Sequence, residues 1–222
     1  MPVSQLRVST HLPGANLPAG STPDALAGVL GEQLVSDLHG KYYEHASRGN
    51  LWYVSTVVAG LAVPISTTTA PTVMLWNPSG SGKNAVLGRF NAAYVSGTSA
   101  ATSIGLAEAE DVGANTATAA PITAFNQSAV GTNLFNGLLG YGGTSAMRSS
   151  ANGTNTVTAG TWFKTLAGES ALIATTAMNP YVIDYDFQGE LILPPGVAIW
   201  VVGAAATGAL LAQTLSWVEV PV

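Results

Sequence analysis

Residues 51–222 carry short apolar runs, several of which alternate apolar with polar side chains. In residues 181–187, alternation places Asp184 and Asp186 on one face of a strand and apolar side chains on the other. Such a strand turns one face to a core and the other to solvent or a partner. Nine segments have this strand-like character: LWYVSTVV, TVMLWN, AVLGRFNAAYV, ATSIGLAEAE, TWFKTLA, PYVIDYDF, ELILP, VAIWVVG and TLSWVEV. Since no helix separates them, we expect a mainly β fold, which is a β-sandwich or jelly roll, or else a barrel.

The final stretch, residues 189–222, shows the pattern most clearly. It reads GELILPPGVAIWVVGAAATGALLAQTLSWVEVPV, with a Pro-Pro-Gly break between two runs rich in Val, Ile, Leu and Trp. A proline pair interrupts a helix, and the flanking residues favour strands. The sequence therefore predicts strand, turn, strand, small-residue loop and strand.

The N-terminal residues follow a different pattern. Residues 1–22 are polar and contain several Pro and Gly, which predicts an extended arm. A helix is predicted next, with Thr22 as cap, Pro23 in the first turn and Gly40 as stop. Its apolar stripe either packs on the chain's own sheet or attaches to a neighbour. The candidate assembly contacts on it are Leu26, Val29, Leu30, Leu34 and Leu38.

These patterns predict two parts of the chain. Residues 1–50 form the arm and one short amphipathic helix, and residues 51–222 form the β domain. Within that domain, residues 97–160 consist mainly of Ala, Thr, Ser, Gly and Asn, with few large apolar side chains apart from ITAF and NLFNGLLGY. We interpret this region as long loops or an insertion, exposed or at a subunit contact.

The composition points to contact with other chains. Charged residues make up 9% of the chain, against about 25% in a typical soluble domain. Isolated monomers normally cover themselves with Lys, Glu, Arg and Asp. This chain must cover itself with small polar residues or with other chains, and the second option fits an obligate oligomer.

The charge pattern excludes several classes of partner. The net charge is −5, and the seven basic residues are scattered along the chain, which argues against nucleic-acid binding. No cysteine is present, so disulfides and cysteine-based sites are excluded. The N-terminal residues do not resemble a signal peptide, and the uncharged runs are broken by Pro, Gly and Thr, which argues against a membrane span.

One glycine-rich segment superficially resembles a phosphate-binding loop. Residues 77–84 read NPSGSGKN, but such a loop needs Gly at Asn77, Ser or Thr at Asn84, and a following helix. A strand follows instead, so we interpret the segment as a hairpin turn between two strands.

Other candidate chemistry is sparse. His11, His39 and His45 do not have the spacing of a zinc site. Asp184 and Asp186 could do acid–base work or bind Ca²⁺, but alternating strand positions usually mark a solvated face. The five Trp residues could stack on sugars, although their strand positions favour packing in a core or subunit interface. We therefore predict no catalytic residue, cofactor or metal site.

Three segments together resemble a family of tailed-bacteriophage virion proteins. They are HGKYYEHASRGNLWYVSTVVAGLAVP, LWNPSGSGKNAVLGRF and the terminal GELILPPGVAIWVVGAAATGALLAQTLSWVEVPV. The shared features are an Asn-Pro-Ser-Gly turn followed by Lys-Asn, the Pro-Pro-Gly segment and an acidic-Val-Pro close. The resemblance covers most of the chain from His39 onward and is weakest in residues 97–160.

The resemblance implies a non-enzymatic head protein, a cement (decoration) protein on the capsid exterior. It implies a homotrimer that binds the major capsid protein, grips neighbours with its arm, and is made in the host cytoplasm. It implies no binding to nucleic acid or membrane, no cofactor and no catalytic residue. Two alternatives stay open: a tail, collar or fibre-associated virion protein, and a carbohydrate-binding β-sandwich in receptor recognition.

Overall fold

The structure, a computed structural model, describes residues 40–65, 71–98, 101–110, 133–140, 143–150, 160–169, 182–205 and 208–222. The chain divides into two units, Met1–Lys41 and Tyr42–Val222, and every described helix and strand belongs to the second. The predicted helix of residues 23–39, with its apolar stripe, lies outside the described residues.

The described elements are one short helix and twelve strands. In chain order they are α1 (Tyr43–Ser47), β1 (Leu51–Ser55), β2 (Leu61–Ala62), β3 (Met74–Asn77), β4 (Lys83–Ser96), β5 (Thr102–Glu110), β6 (Asn133–Asn136), β7 (Arg148–Ser150), β8 (Thr161–Glu169), β9 (Val182–Asp186), β10 (Ile192–Leu193), β11 (Val197–Gly203) and β12 (Leu210–Pro221).

The strands form two antiparallel sheets, which confirms the predicted mainly β fold. The seven-stranded sheet has the order β10-β4-β12-β1-β6, with β2 also paired to β12 and β9 to β4. The five-stranded sheet has the order β7-β3-β11-β5-β8. Two sheets in this arrangement are compatible with a β-sandwich, and the jelly-roll connection stays a prediction.

The main core lies between the two sheets. The seven-stranded sheet contributes Trp52, Phe90 and Trp217, which are at most 1% exposed. Ile104 and Val201 of the five-stranded sheet belong to the same cluster. Burial of each such side chain stabilises the fold by about 1.5–3 kcal/mol, so this shared layer holds the two sheets together.

The five-stranded sheet also has a buried apolar layer on its other face. Trp200 lies opposite Met74 on one neighbouring strand and opposite Ala107 on the other. These residues alternate along their strands with residues of the main core such as Leu75 and Ile199. The second cluster comprises Met74, Trp76, Ala107, Ala198, Trp200 and Val202. Burial on both faces explains why β11 is apolar throughout.

Two of the connections that cross from one sheet to the other carry the glycine-rich and Pro-Pro-Gly motifs. Residues 78–82 lead from β3 in the five-stranded sheet to β4 in the seven-stranded sheet, so the predicted hairpin is wrong. Residues 194–196 lead back from β10 to β11 in the same way. A turn motif marks where the chain reverses, but it does not specify whether the flanking strands pair with each other.

The range predicted as loops contains more sheet than expected. Strands β6 and β7 lie within residues 97–160, as does β5, whose segment was itself predicted as a strand. Both β6 and β7 are short edge strands of their sheets. An edge strand does not need the apolar run that marks a central strand. Helix α1 was not predicted from the sequence.

Candidate functional site

The glycine-rich turn of residues 78–82 and the Pro-Pro-Gly turn of residues 194–196 meet at Asn77, the last residue of β3. The Asn77 side chain is completely buried, and its Nδ2 donates to the carbonyl oxygens of Lys83 and Leu193, each at 2.8 Å. The backbone carbonyl of Asn77 accepts the N–H of Gly196 at 2.7 Å. One amide therefore holds together the glycine-rich turn and the Pro-Pro-Gly turn, which lie far apart in sequence.

The glycines of these turns are required by backbone geometry. Gly80, Gly82 and Gly196 have φ angles of 107°, 67° and 91°. Side-chain-bearing residues rarely adopt such positive angles, whereas glycine does so without steric cost. The two motifs thus encode the shape of their turns.

A buried carboxylate extends this junction to the end of the chain. The side chain of Glu219 is 0% exposed, and its Oε2 lies 2.8 Å from Lys83 Nζ. Its Oε1 accepts the hydroxyl of Ser145 at 2.5 Å and the backbone N–H of Ala146 at 3.0 Å. A buried charge is tolerated when it is paired and hydrogen-bonded in this way. We call Asn77, Lys83, Ser145, Gly196 and Glu219 the motif corner.

The chemistry of the motif corner is that of a structural junction. The Ser145 hydroxyl donates to Glu219, and its oxygen also accepts the N–H of Met147 at 3.1 Å. A nucleophilic serine needs its oxygen directed at a substrate, with a base to take its proton. Here both carboxylate oxygens and the hydroxyl are already engaged within the protein.

Asp184 and Asp186 lie on the face of the seven-stranded sheet that is turned away from the core, as the alternation predicted. The guanidinium of Arg89 lies 3.3 Å from Asp184 Oδ1 and 3.9 Å from Asp186 Oδ2. Asn91 donates to Asp184 at 2.8 Å, and the Tyr42 hydroxyl donates to Asp186 at 3.3 Å. The two carboxylates therefore belong to a partly solvated polar network, and the positive charge of Arg89 offsets part of their negative charge.

One tyrosine near this face has a shifted pKa. Partial burial raises the pKa of Tyr53 above its ordinary value, and the neighbouring Tyr42 adds to the increase. The Tyr53 hydroxyl therefore stays protonated at neutral pH, as a donor and acceptor rather than a base.

A second ionic cluster bridges the two sheets. Lys164 Nζ of β8 lies 2.7 Å from Oε1 of Glu190, which also accepts the Tyr185 hydroxyl at 3.0 Å. The Lys164 ammonium also lies 5.2 Å from the centre of the Tyr185 ring. The hydrogen bond with Glu190 is the main cause that raises the pKa of Lys164, and a hydrogen bond with Tyr185 adds to the increase. The hydrogen bond from Lys164 is the main cause that lowers the pKa of Glu190, and the hydrogen bond from Tyr185 adds to the decrease.

The tryptophans mostly have packing roles. Trp52 and Trp217 belong to the main core, and Trp76 and Trp200 belong to the second cluster. Trp162 is partly buried against that second cluster. Four of the five indole rings are therefore buried within this chain and are not available to stack on a sugar.

Several predicted site residues fall outside the described residues. These are Leu26, Val29, Leu30, Leu34 and Leu38, together with His11 and His39. His45 lies on α1. Across the described ranges, no group of three or more His, Asp or Glu side chains could hold a metal ion. In the same ranges, no helix is both long and apolar enough to cross a membrane.

Comparisons of the chain with protein-family models, curated proteins and solved structures find no match.

Sequence reasoning missed how the motif corner is assembled. Ser145 lies among small residues with no distinguishing pattern, and Asn77 was considered only as a departure from a phosphate-binding loop. Glu219 carried a signal, because it is a lone carboxylate in the apolar run SWVEV. A charge at such a position predicts a buried partner, but not which one.

Proposed function

We propose that this chain is a non-enzymatic structural protein of a tailed-bacteriophage virion, a cement protein that binds the outer surface of the assembled capsid. Its partners would be the major capsid protein and two further copies of itself in a homotrimer. It would be made in the host cytoplasm and would need no cofactor, nucleic acid or membrane.

The motif corner is the observation that supports this proposal most directly. Three sequence features carry the resemblance to the virion family: the Asn-Pro-Ser-Gly turn with its Lys-Asn, the Pro-Pro-Gly segment and the acidic-Val-Pro close. Their residues Asn77, Lys83, Gly196 and Glu219 contact one another in one hydrogen-bonded unit. Motifs that interlock in space are a stronger basis for a resemblance than separate turns, because each depends on the others.

The charge distribution also fits a protein that functions in an assembly. Most of the few charges in the described residues are compensated internally, as in Lys83–Glu219, Arg89–Asp184 and Lys164–Glu190. Several large apolar side chains of the described residues are exposed, among them Leu139 at 85% and Val182 at 67%. A surface with few free charges and some apolar side chains resembles the centre of a protein–protein contact.

The physical role follows from mass action. A protein that binds the assembled shell but not its separate subunits stabilises the shell by the free energy of that binding. A trimer suits positions of local three-fold symmetry, where each copy can contact an equivalent capsomer edge. The predicted arm and the stripe of Leu26, Val29, Leu30, Leu34 and Leu38 would extend these contacts to neighbouring capsomers.

Electron cryo-microscopy of the particle that carries this protein tests the proposal. Trimeric density on the outer capsid surface is the expected result. Density confined to the tail or neck would replace the cement role by the other virion role. Absence from the particle would contradict both, and glycan-array screening would then test the carbohydrate-binding alternative.

A further inference from the structure

An apolar cleft opens between the two sheets at the strand β10. Its volume is about 170 Å³. The buried side chains of Leu87, Leu193 and Ile199 line it, and two rim residues are exposed, Ile192 at 58% and Phe163 at 38%. An apolar cavity of about 150 Å³ accommodates a benzene-sized group. The cleft is therefore large enough for one Leu, Ile or Phe side chain.

Among the residues that the structure describes, Glu108 is the one whose carboxylate lines this cleft. Glu108 lies directly opposite Ile199 in the β5–β11 ladder, so both side chains are on the inner face of the five-stranded sheet. Glu108 is exposed, and its carboxylate forms no hydrogen bond or ion pair with the residues that the structure describes. An inward-facing charge beside an apolar cleft favours an incoming cation, and the chain's net charge of −5 acts in the same direction.

The strands on both sides of the cleft can also pair with an added chain. Phe163 belongs to β8 and Ile192 to β10, and each of these strands lies at the edge of its sheet. Within the described ranges, β8 pairs only with β5 and β10 only with β4. An edge strand offers N–H and C=O groups to an extended peptide, whose alternate side chains then reach a neighbouring pocket.

We propose that this cleft binds an extended peptide segment of a partner protein. The segment presents one Leu, Ile or Phe side chain to the cleft and a Lys or Arg next to it for Glu108. The apolar side chain supplies most of the binding free energy, and the cation supplies selectivity. The site goes beyond the capsid role and does not depend on it.

Peptide titration monitored by nuclear magnetic resonance tests this site on the full-length, nitrogen-15-labelled chain. The probes are three acetylated and amidated peptides: Thr-Thr-Leu-Lys-Thr, Thr-Thr-Leu-Gln-Thr and Thr-Thr-Ser-Lys-Thr. The first peptide should give saturable shifts at the amides of Glu108, Phe163 and Ile192. Replacing its Lys by Gln should weaken binding about threefold, and replacing its Leu by Ser about tenfold or more.

Two variants and one control identify the recognising groups. Glu108→Gln should abolish the preference for the Lys peptide over the Gln peptide, and Phe163→Ala should weaken both Leu peptides. Glu44→Gln, on the exposed surface of α1, changes the net charge equally and should leave binding unchanged. All three positions are solvent-accessible, so the fold should survive. The absence of saturable shifts at the cleft, or a Lys preference that persists in Glu108→Gln, would overturn the proposal.

Discussion

Asn77 and Glu219 show how much a single buried polar side chain contributes to this fold. Each lies at or near the end of a strand, and each bonds to segments distant in sequence. Inside a protein, leaving a buried polar group without a hydrogen bond costs more free energy than forming that hydrogen bond gains. The Glu219 carboxylate and the Asn77 Nδ2 therefore favour arrangements that give them partners, whereas Asn77 Oδ1 accepts no hydrogen bond from the described residues. The two residues therefore specify how the corner closes, beyond adding stability.

Replacing Asn77 tests this role. We expect Asn77→Ala to lower the free energy of unfolding by about 2 kcal/mol or more, because the buried Leu193 carbonyl loses a side-chain donor and the part-buried Lys83 carbonyl keeps that of Ser81 but loses that of Asn77. Asn77→Asp should cost more, since a carboxylate would face the carbonyl oxygens of Lys83 and Leu193. Urea unfolding followed by tryptophan fluorescence measures both values. Asn91→Ala, which removes a solvent-exposed hydrogen bond, is the control, and an equal loss in Asn77→Ala and Asn91→Ala would contradict the argument.

Replacing Lys83 tests whether the glycine-rich segment is a structural turn or a phosphate-binding loop. Lys83→Ala should leave nucleotide binding unchanged, because the turn has no such activity to lose. It should lower the free energy of unfolding by about 1–3 kcal/mol, since buried Glu219 loses its cation. The double variant Lys83→Ala with Glu219→Gln should recover part of that loss. Calorimetric titration with a nucleoside triphosphate and urea unfolding check the two halves, and nucleotide binding that disappears in Lys83→Ala would reverse the interpretation.

At the level of elements, strand identity followed from local pattern, whereas strand pairing did not. All nine segments predicted as strands contain strands in the structure. The central pair is β4 with β12, which join residues more than a hundred positions apart. The alternation of side chains indicates which face of a strand is buried. It does not identify the neighbouring strand, because many strands carry nearly the same alternation. This is why the turn of residues 78–82 was wrongly interpreted as a hairpin.

The bridge of Lys164 and Glu190 should make stability depend on pH at both extremes. The pKa of Glu190 is lowered from 4.5, so its contribution is present above that value and is lost as pH falls through the lower, folded pKa. The pKa of Lys164 is raised from 10.5, so its contribution is present below that value and is lost as pH rises through the higher, folded pKa.

Glu190→Gln tests the bridge. This variant should have a lower melting temperature than the native chain near neutral pH, and the difference should shrink toward both extremes. Thermal unfolding from acid to alkaline pH measures the difference between the two proteins. Tyr185→Phe, which removes only the phenolic hydrogen bond, should show a smaller difference. A difference that does not change with pH would mean that Glu190 acts by packing rather than by charge.

At the scale of the whole molecule, the described β domain has a core of its own. This core lies between two sheets, so the β domain should not need residues 1–40 to fold. Those residues were predicted to be an arm and an amphipathic helix, and attachment to a neighbour is one of their two proposed roles.

Deleting residues 1–40 tests that role. The shortened chain should retain the β-sheet circular dichroism spectrum and cooperative unfolding of the full chain but bind capsids more weakly. Co-sedimentation with capsids stripped of this protein measures attachment, and sedimentation velocity measures whether both forms are trimers. Capsid binding equal to that of the full chain would rule out the arm as an attachment device.

The sequence by itself determined nine of the twelve described strands and the positions of the two motif turns, because side-chain alternation, Pro-Pro and positive-φ glycines act over a few neighbouring residues. Only the tertiary structure decided that both motif turns cross between sheets and that Asn77 and Glu219 join them. The tertiary structure also forms the cleft beside Glu108, which no sequence pattern predicted. Those features depend on contacts between residues distant in sequence, and the free energy of such contacts is set by how the sheets pack rather than by local pattern.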